Sequence, residues 1–114
     1  EALLLAKHNK LDNLSIIIDI NSLIILGSTQ DCLNLDPIKD KILGLGINTL
    51  EVDGHNMNDL ISTFEKSKKI GGFNCILAKT IKGKGSSVME NKKHWHYWNA
   101  MNNEEIKLTR KELA

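Results

Sequence analysis

Three short segments carry most of the chemistry available to this sequence. The first, Asp19-Ile20-Asn21-Ser22-Leu23-Ile24-Ile25-Leu26-Gly27, offers the amide oxygen of Asn21 and a run of backbone carbonyls beside it. Neutral oxygens of this kind suit a hard divalent cation, and magnesium normally shares its shell with phosphate oxygens. An asparagine after a strand is equally an ordinary turn residue. The second segment, Thr80-Ile81-Lys82-Gly83-Lys84-Gly85-Ser86, alternates lysine with glycine. Glycine lets backbone amides approach an anion, and Lys82 or Lys84 could neutralise a phosphate. It is not a Walker motif, and a basic surface loop has the same composition. The third, His94-Trp95-His96-Tyr97-Trp98, gathers two of the four histidines, both tryptophans and the one tyrosine. A histidine there could exchange a proton near neutral pH or bind an oxyanion, and the competing reading is an aromatic clasp that holds a long loop to the body. No zinc-type partner set surrounds these histidines.

Elements of an α/β domain must position these segments. Strong helix formers fill residues 2 to 9, ahead of turn chemistry at Asp12-Asn13. Leu14-Ser15-Ile16-Ile17-Ile18-Asp19 is short, apolar and β-branched, which predicts a strand covered on both faces and ended by Asp19. Leu35-Asp36-Pro37 reads as a helix start with Asp36 as cap, and Gly44 and Gly46 end that helix. Thr49-Leu50-Glu51-Val52 is a second strand. Asp53-Gly54-His55-Asn56 then makes a turn able to cap a helix with Leu60, Ile61 and Phe64 on its apolar face and Gly71-Gly72 at its end. Asn74 to Thr80 reads as a third strand, residues 81 to 101 as loop, and Asn103-Glu104-Glu105 as the start of a last helix. Alternating helices and strands imply right-handed crossovers and a mostly parallel sheet with helices on both faces, a three-layer sandwich. Ligands of such sheets bind beyond the carboxyl ends of the strands, where the loops starting at Asp19, Val52 and Thr80 belong.

Composition narrows the function classes. With 41% apolar and 25% charged residues the chain can bury a modest core. Fifteen basic against 14 acidic residues give no electrostatic reason to expect nucleic acid or an anionic membrane. Cys32 and Cys75 are too far apart for a metal-binding or disulfide pattern, so reduced cysteines and a cytoplasmic setting are the default. No apolar run approaches the roughly 20 residues of a membrane span. The opening at Glu1, directly into an apolar helix without a cap, reads as a cut.

In their order, these segments resemble the transketolase family over essentially the whole chain, specifically the C-terminal half of its diphosphate-binding domain. The family-like stretches are Glu1-Ala2 with Lys10-Leu11-Asp12-Asn13-Leu14, Asp19-Ile20-Asn21-Ser22-Leu23, Val52-Asp53-Gly54-His55, Lys79 to Gly85, and Met89-Glu90-Asn91 with Trp95-His96. The resemblance implies part of a thiamine-diphosphate-binding fold over residues 1–114. It also implies thiamine diphosphate and Mg2+ (or Ca2+) as cofactors, with Asn21 as side-chain metal ligand and Leu23 as carbonyl ligand. Ile25 resembles the apolar residue against the cofactor, Lys82 a cofactor-contacting lysine, and His96 the histidine at the diphosphate and substrate end. Glu1 resembles a glutamate that communicates between active sites across the dimer.

The implied activity is transfer of a two-carbon ketol unit from a ketose phosphate to an aldose phosphate, breaking the C2–C3 bond. The implied partner is a pyrimidine-binding C-terminal transketolase domain or subunit, in a homodimer or heterotetramer; the closing helix favours the split, N-terminal-subunit form. The family's Gly-Asp-Gly segment belongs upstream of Glu1, so these 114 residues alone are expected to be inactive and to bind cofactor weakly. Ser22, Leu26 and Tyr97 depart from the family pattern and bear on substrate details. The alternatives are a deoxyxylulose-phosphate synthase-like enzyme or the first subunit of a dehydrogenase, an inactive structural half-domain, and a single-strand nucleic-acid platform stacking bases on Trp95 and Trp98.

Overall fold

The computed structural model describes residues 1–97 and 100–114, so the reading that rests on Trp98 lies outside the described residues. The order along the chain is α1 (Ala2–His8), β1 (Ser15–Ile20), α2 (Thr29–Cys32), α3 (Ile38–Gly44), β2 (Asn48–Asp53), α4 (Met57–Ile70), β3 (Asn74–Lys79), a 3-10 turn (Lys93–His96) and α5 (Asn103–Glu112). Residues 1–20 and 36–80 make one compact unit, and residues 21–35 and 81–114 make another. Among the described residues, no helix is long and apolar enough to cross a membrane.

In the first unit, β3 pairs in parallel with β1 on one side and β2 on the other, giving the order β1-β3-β2. The apolar run of β3 makes it the natural centre: Cys75, Ile76 and Leu77 are at most 1% exposed. Alternate side chains point to opposite faces of a strand. Cys75 and Leu77 therefore share a core with Ala6 of α1, Ile42 of α3, Ile47 and Phe73, while Ile76 and Ala78 pack with Val52, Leu50 and Leu60 of α4. Helices thus lie on both faces, as alternation along the sequence implies. Burial also holds the Cys75 thiol above its ordinary pKa, which keeps it protonated and inert.

Three expectations need correction. β1 runs one residue past Asp19 and is not covered on both faces. Ile16, Ile18 and Ile20 pack on the α1 side, but Ile17, level with Ile76, is 54% exposed, because Leu60 of α4 packs over β2 and β3. A continuous apolar run has the same pattern in either setting. Asp36 is not the cap of α3: the helix begins at Ile38, which puts the ring of Pro37 at the cap position, and the Asp36 carbonyl instead accepts a hydrogen bond from Lys41 Nζ at 3.3 Å. Residues 81 to 101 are not all loop, since Lys93–His96 makes a 3-10 turn.

The other helix boundaries follow side-chain capping. Asn56 Oδ1 accepts from the backbone N–H groups of Asn58 and Asp59 at the start of α4. At its other end the left-handed Gly71 and Gly72 turn the chain, and the buried Asn74 amide donates to the carbonyls of Ser67, Gly71 and Gly72. Helix α5 opens with a capping box in which Asn102 and Glu105 each satisfy the other's backbone N–H.

The Asp53-Gly54-His55 turn is built for close approach. Gly54 N–H donates to the Lys79 carbonyl at 2.7 Å, and a Cβ on Gly54 would lie 2.5 Å from Thr80 Cγ2 and 3.0 Å from the Lys79 oxygen. Gly54→Ala is expected to destabilise the full-length protein by about 1–3 kcal/mol, the usual cost of overpacking. Adding Thr80→Ser, which removes Cγ2 and keeps the hydroxyl, should recover part of that loss in a urea-denaturation double-mutant cycle. Additive losses would show that the crowding is not with Thr80.

Candidate functional site

All of Asn21, Leu23, Ile25, Lys82 and His96 fall in the second unit. Asn21 follows β1 directly and opens a small hairpin. Its Oδ1 accepts the Leu23 N–H at 3.0 Å, the local bond that Asn makes in turns. Ser22 sits at φ +60, in the left-handed region. Leu23 then bridges Ser28 in antiparallel fashion, with Ile24 N–H donating to the Gly27 carbonyl and Thr29 N–H to the Ser22 carbonyl.

Those two bonds flank the Leu23–Ser28 pair and do not join it. In such a non-hydrogen-bonded pair the backbone groups of the paired residues point away from the ladder. The Leu23 carbonyl is therefore outside the ladder, and the Asn21 amide oxygen has spent one of its two lone pairs. Ile25 and Leu26 form the tip, 48% and 72% exposed. Ser28 closes the hairpin and caps α2, its Oγ accepting from the Asp31 N–H.

The glycine-lysine loop is held by its own backbone and by α5. Gly83 is left-handed, and a Cβ there would lie 2.7 Å from Met89 Cβ, so the loop folds back on itself only with glycine. Lys82 carbonyl accepts from Asn91 N–H at 2.9 Å. Residue type alone does not separate Lys82 from Lys84, and the family resemblance singles out Lys82; Lys84 Nζ lies 3.5 Å from Glu90, whereas Lys82 is half-buried and has no ion-pair partner among the described residues. Ser86 Oγ and Thr109 Oγ1 are 3.0 Å apart, and Ser87 N–H donates to Glu112 Oε2 at 2.9 Å.

The aromatic segment divides its work between neighbours. Trp95 Nε1 donates to the Val88 carbonyl at 2.9 Å, so Trp95 is the clasp. His96, the next residue, is exposed, its ring 5.8 Å from that of Tyr97. Lys93 Nζ donates to the Leu26 carbonyl at 3.0 Å, which ties the 3-10 turn to the hairpin tip. Glu1, in the first unit, precedes α1 without a side-chain capping bond.

The donor chemistry fits a divalent cation carrying a diphosphate. Asn21 and Leu23 offer two neutral oxygens, and Lys82 a cation for phosphate. Among the described residues no group of three or more His, Cys, Asp or Glu is placed to hold a metal ion. In the first unit, a hollow of about 370 Å³ lined by Asn13, Ser15, Ser67 and Asn74 lies at the amino ends of β1 and β3, the end opposite to that from which Asn21 departs.

Sequence reading missed α2, Lys93 and the clamp made by Thr109 and Glu112. Ser28-Thr29-Gln30-Asp31 has the spacing of a capping box and could have revealed the first; the others depend on contacts between distant residues.

The family model for the transketolase thiamine-diphosphate-binding domain matches residues 1–114. The chain belongs to the transketolase family. It is 35% identical over 113 residues to one of the named subunits of the apulose-4-phosphate transketolase of Actinobacillus succinogenes, across 99% of this chain and 41% of that one. Against a 6-deoxy-6-sulfo-D-fructose transketolase subunit from a Clostridium species it is 39% identical over 93 residues, 81% of this chain and 34% of the relative. A crystal structure of Campylobacter jejuni transketolase superposes with a TM-score of 0.84 at 28% identity, covering 97% of this chain and 17% of that one. The transketolase-family chain thus spans less than half the length of these relatives.

The clamp on the glycine-lysine loop has a pH signature. The hydrogen bonds from Ser87 hold the Glu112 carboxyl below its ordinary value of 4.5. A carboxyl depressed on folding contributes stability above its unfolded pKa and loses it as pH falls through the folded one. Thermal melts between about pH 6 and about pH 3 should show this contribution fading in the acid range, and Glu112→Gln should remove that part of the pH dependence. An unchanged profile in the variant would mean that the clamp does not contribute.

Proposed function

We propose that this chain is part of the diphosphate-binding half of a transketolase that moves a two-carbon ketol unit from a ketose phosphate to an aldose phosphate. The observation that carries the reading is the hairpin after β1, where the Asn21 amide oxygen and the Leu23 carbonyl stand outside the backbone ladder as a pair of oxygen donors. In this reading Asn21 and Leu23 ligate Mg2+ (or Ca2+), Lys82 neutralises the diphosphate, and Ile25 at the exposed tip offers apolar surface to thiamine diphosphate. When bound, the cofactor supplies the nucleophile and electron sink for breaking the C2–C3 bond.

The chain's own task is to orient and polarise. His96 is exposed on a turn secured by Trp95, so its imidazole is open to donate a hydrogen bond to a substrate oxygen. Residues 1–114 are then one part of the diphosphate-binding domain, with a further acidic metal ligand supplied upstream and a pyrimidine-binding domain or subunit completing the site. Relatives named as subunits of transketolases support a subunit working with a separate partner. In this reading it is the N-terminal subunit of a cytoplasmic heterotetramer, and a homodimer of longer chains is the other arrangement. The sugars named in those relatives, apulose 4-phosphate and the sulfonate 6-deoxy-6-sulfo-D-fructose, favour a ketose with an anionic group that lies outside the common pentose phosphates.

Titration of thiamine diphosphate with Mg2+ into the full-length protein and its partner tests the assignment. Asn21→Ala should weaken joint binding by about tenfold or more, and chelating the metal should abolish it. Lys82→Met should weaken binding more than Lys84→Met, because Lys84 already faces Glu90. His96→Ala should spare binding and lower kcat/KM by about a hundredfold. No uptake by the unmutated pair would sink the transketolase reading.

A further inference from the structure

Lys93 lies outside every motif that the sequence presents as chemical, yet it begins the 3-10 turn that ends at His96. Its ammonium is committed to the Leu26 carbonyl at 3.0 Å, one residue past Ile25 at the tip of the hairpin that carries Asn21 and Leu23. That hairpin needs outside support. Its tip is largely exposed, its ladder is a single bridge, and Ser22 occupies a left-handed backbone that a non-glycine residue keeps only where its surroundings hold it. A hydrogen bond from an ammonium is stronger than one from a neutral donor and is therefore able to hold such a tip.

At the other end of the turn, Trp95 fixes the same segment to Val88 in the glycine-lysine loop. Neighbouring Lys92 is likewise spent on a carbonyl, that of Ser87 at 3.0 Å. The positive charges of this segment are thus used to bind loops to one another.

We propose that Lys93 is a positioning residue, whose bond to the Leu26 carbonyl sets the oxygen donors of the hairpin in register with the turn that carries His96. This rests on the reading of Asn21 and Leu23 as metal ligands. Lys93 touches neither cofactor nor substrate; it acts through the hairpin.

The test uses the full-length chain with its partner and compares Lys93→Met, Lys93→Arg, Asn21→Ala and Lys69→Met, a loss of the same charge on α4. Two quantities are measured: amide hydrogen exchange at Ile24 and Thr29 without ligand, and the Mg2+ concentration that half-saturates binding of thiamine diphosphate. Lys93→Met should speed exchange at both amides and raise the half-saturating Mg2+ by about fivefold, the effect of one modest hydrogen bond. Lys93→Arg should stay within about twofold of the unmutated protein, since guanidinium also donates to a carbonyl. Lys69→Met should change neither quantity. Equal behaviour of Lys93→Met and Lys69→Met, with Asn21→Ala still impaired, would overturn the proposal for Lys93 alone. If the unmutated pair takes up no thiamine diphosphate with Mg2+, the metal-site reading fails and the role of Lys93 falls with it.

Discussion

The first unit depends on the burial of one strand. β3 is paired on both edges and covered on both faces, and its side chains divide between two cores. A fully buried aliphatic side chain contributes about 1.5–3 kcal/mol, so the run from Cys75 to Ala78 is a large share of what a small sheet has to offer. Removing water from β3 also obliges every backbone group there to find a partner, and the strands paired on both sides supply them. The positions of β1 and β2, and the points at which the chain leaves them, follow from that demand.

The second unit is organised on another basis. It buries little and relies on side chains bonded to backbone: Trp95 to Val88, Lys93 to Leu26, Lys92 to Ser87, Ser87 to Glu112. Such bonds are directional, and each is worth only about 1 kcal/mol net. They are suited to setting the orientation of loops that carry chemistry and poorly suited to stabilising a fold. Asn21, Leu23, Ile25, Lys82 and His96 all lie in this unit, so the candidate site lies where geometry is set by individual contacts.

That contrast explains what the sequence revealed. β3 and α4 were legible because a buried strand and a capped amphipathic helix leave periodic marks, and the Asn56 cap and Gly71-Gly72 stop stand at the expected places. β1 misled because Ile16-Ile17-Ile18 has the same composition whether or not a helix covers Ile17. The hairpin after Asn21 carries no Asn-Gly or Asp-Gly turn signal; its tip is apolar, and its left-handed residue is a serine. The resemblance pointed to Lys82, but the ion pair that distinguishes it from Lys84 was illegible for a different reason, since Glu90 reaches Lys84 only after the loop has folded on Gly83. The order of the family-like stretches identified the domain before any of these details could be read.

The strand order also sets a sequence of events. Asn48 and Ser15 both align with Asn74, but Ser15 is separated from it by more than twice as much chain. Contacts between distant residues form late, because the entropy of closing a long loop must be met before the contact returns anything. A ribosome delivers β1 first and β3 last, so β1 waits through the making of three helices and a strand before it has an edge to pair with. During that interval its isoleucines are exposed and adhesive. Damage to β3 therefore reaches the chain first as a problem of handling by chaperones and proteases, before it can register in the loops of the candidate site.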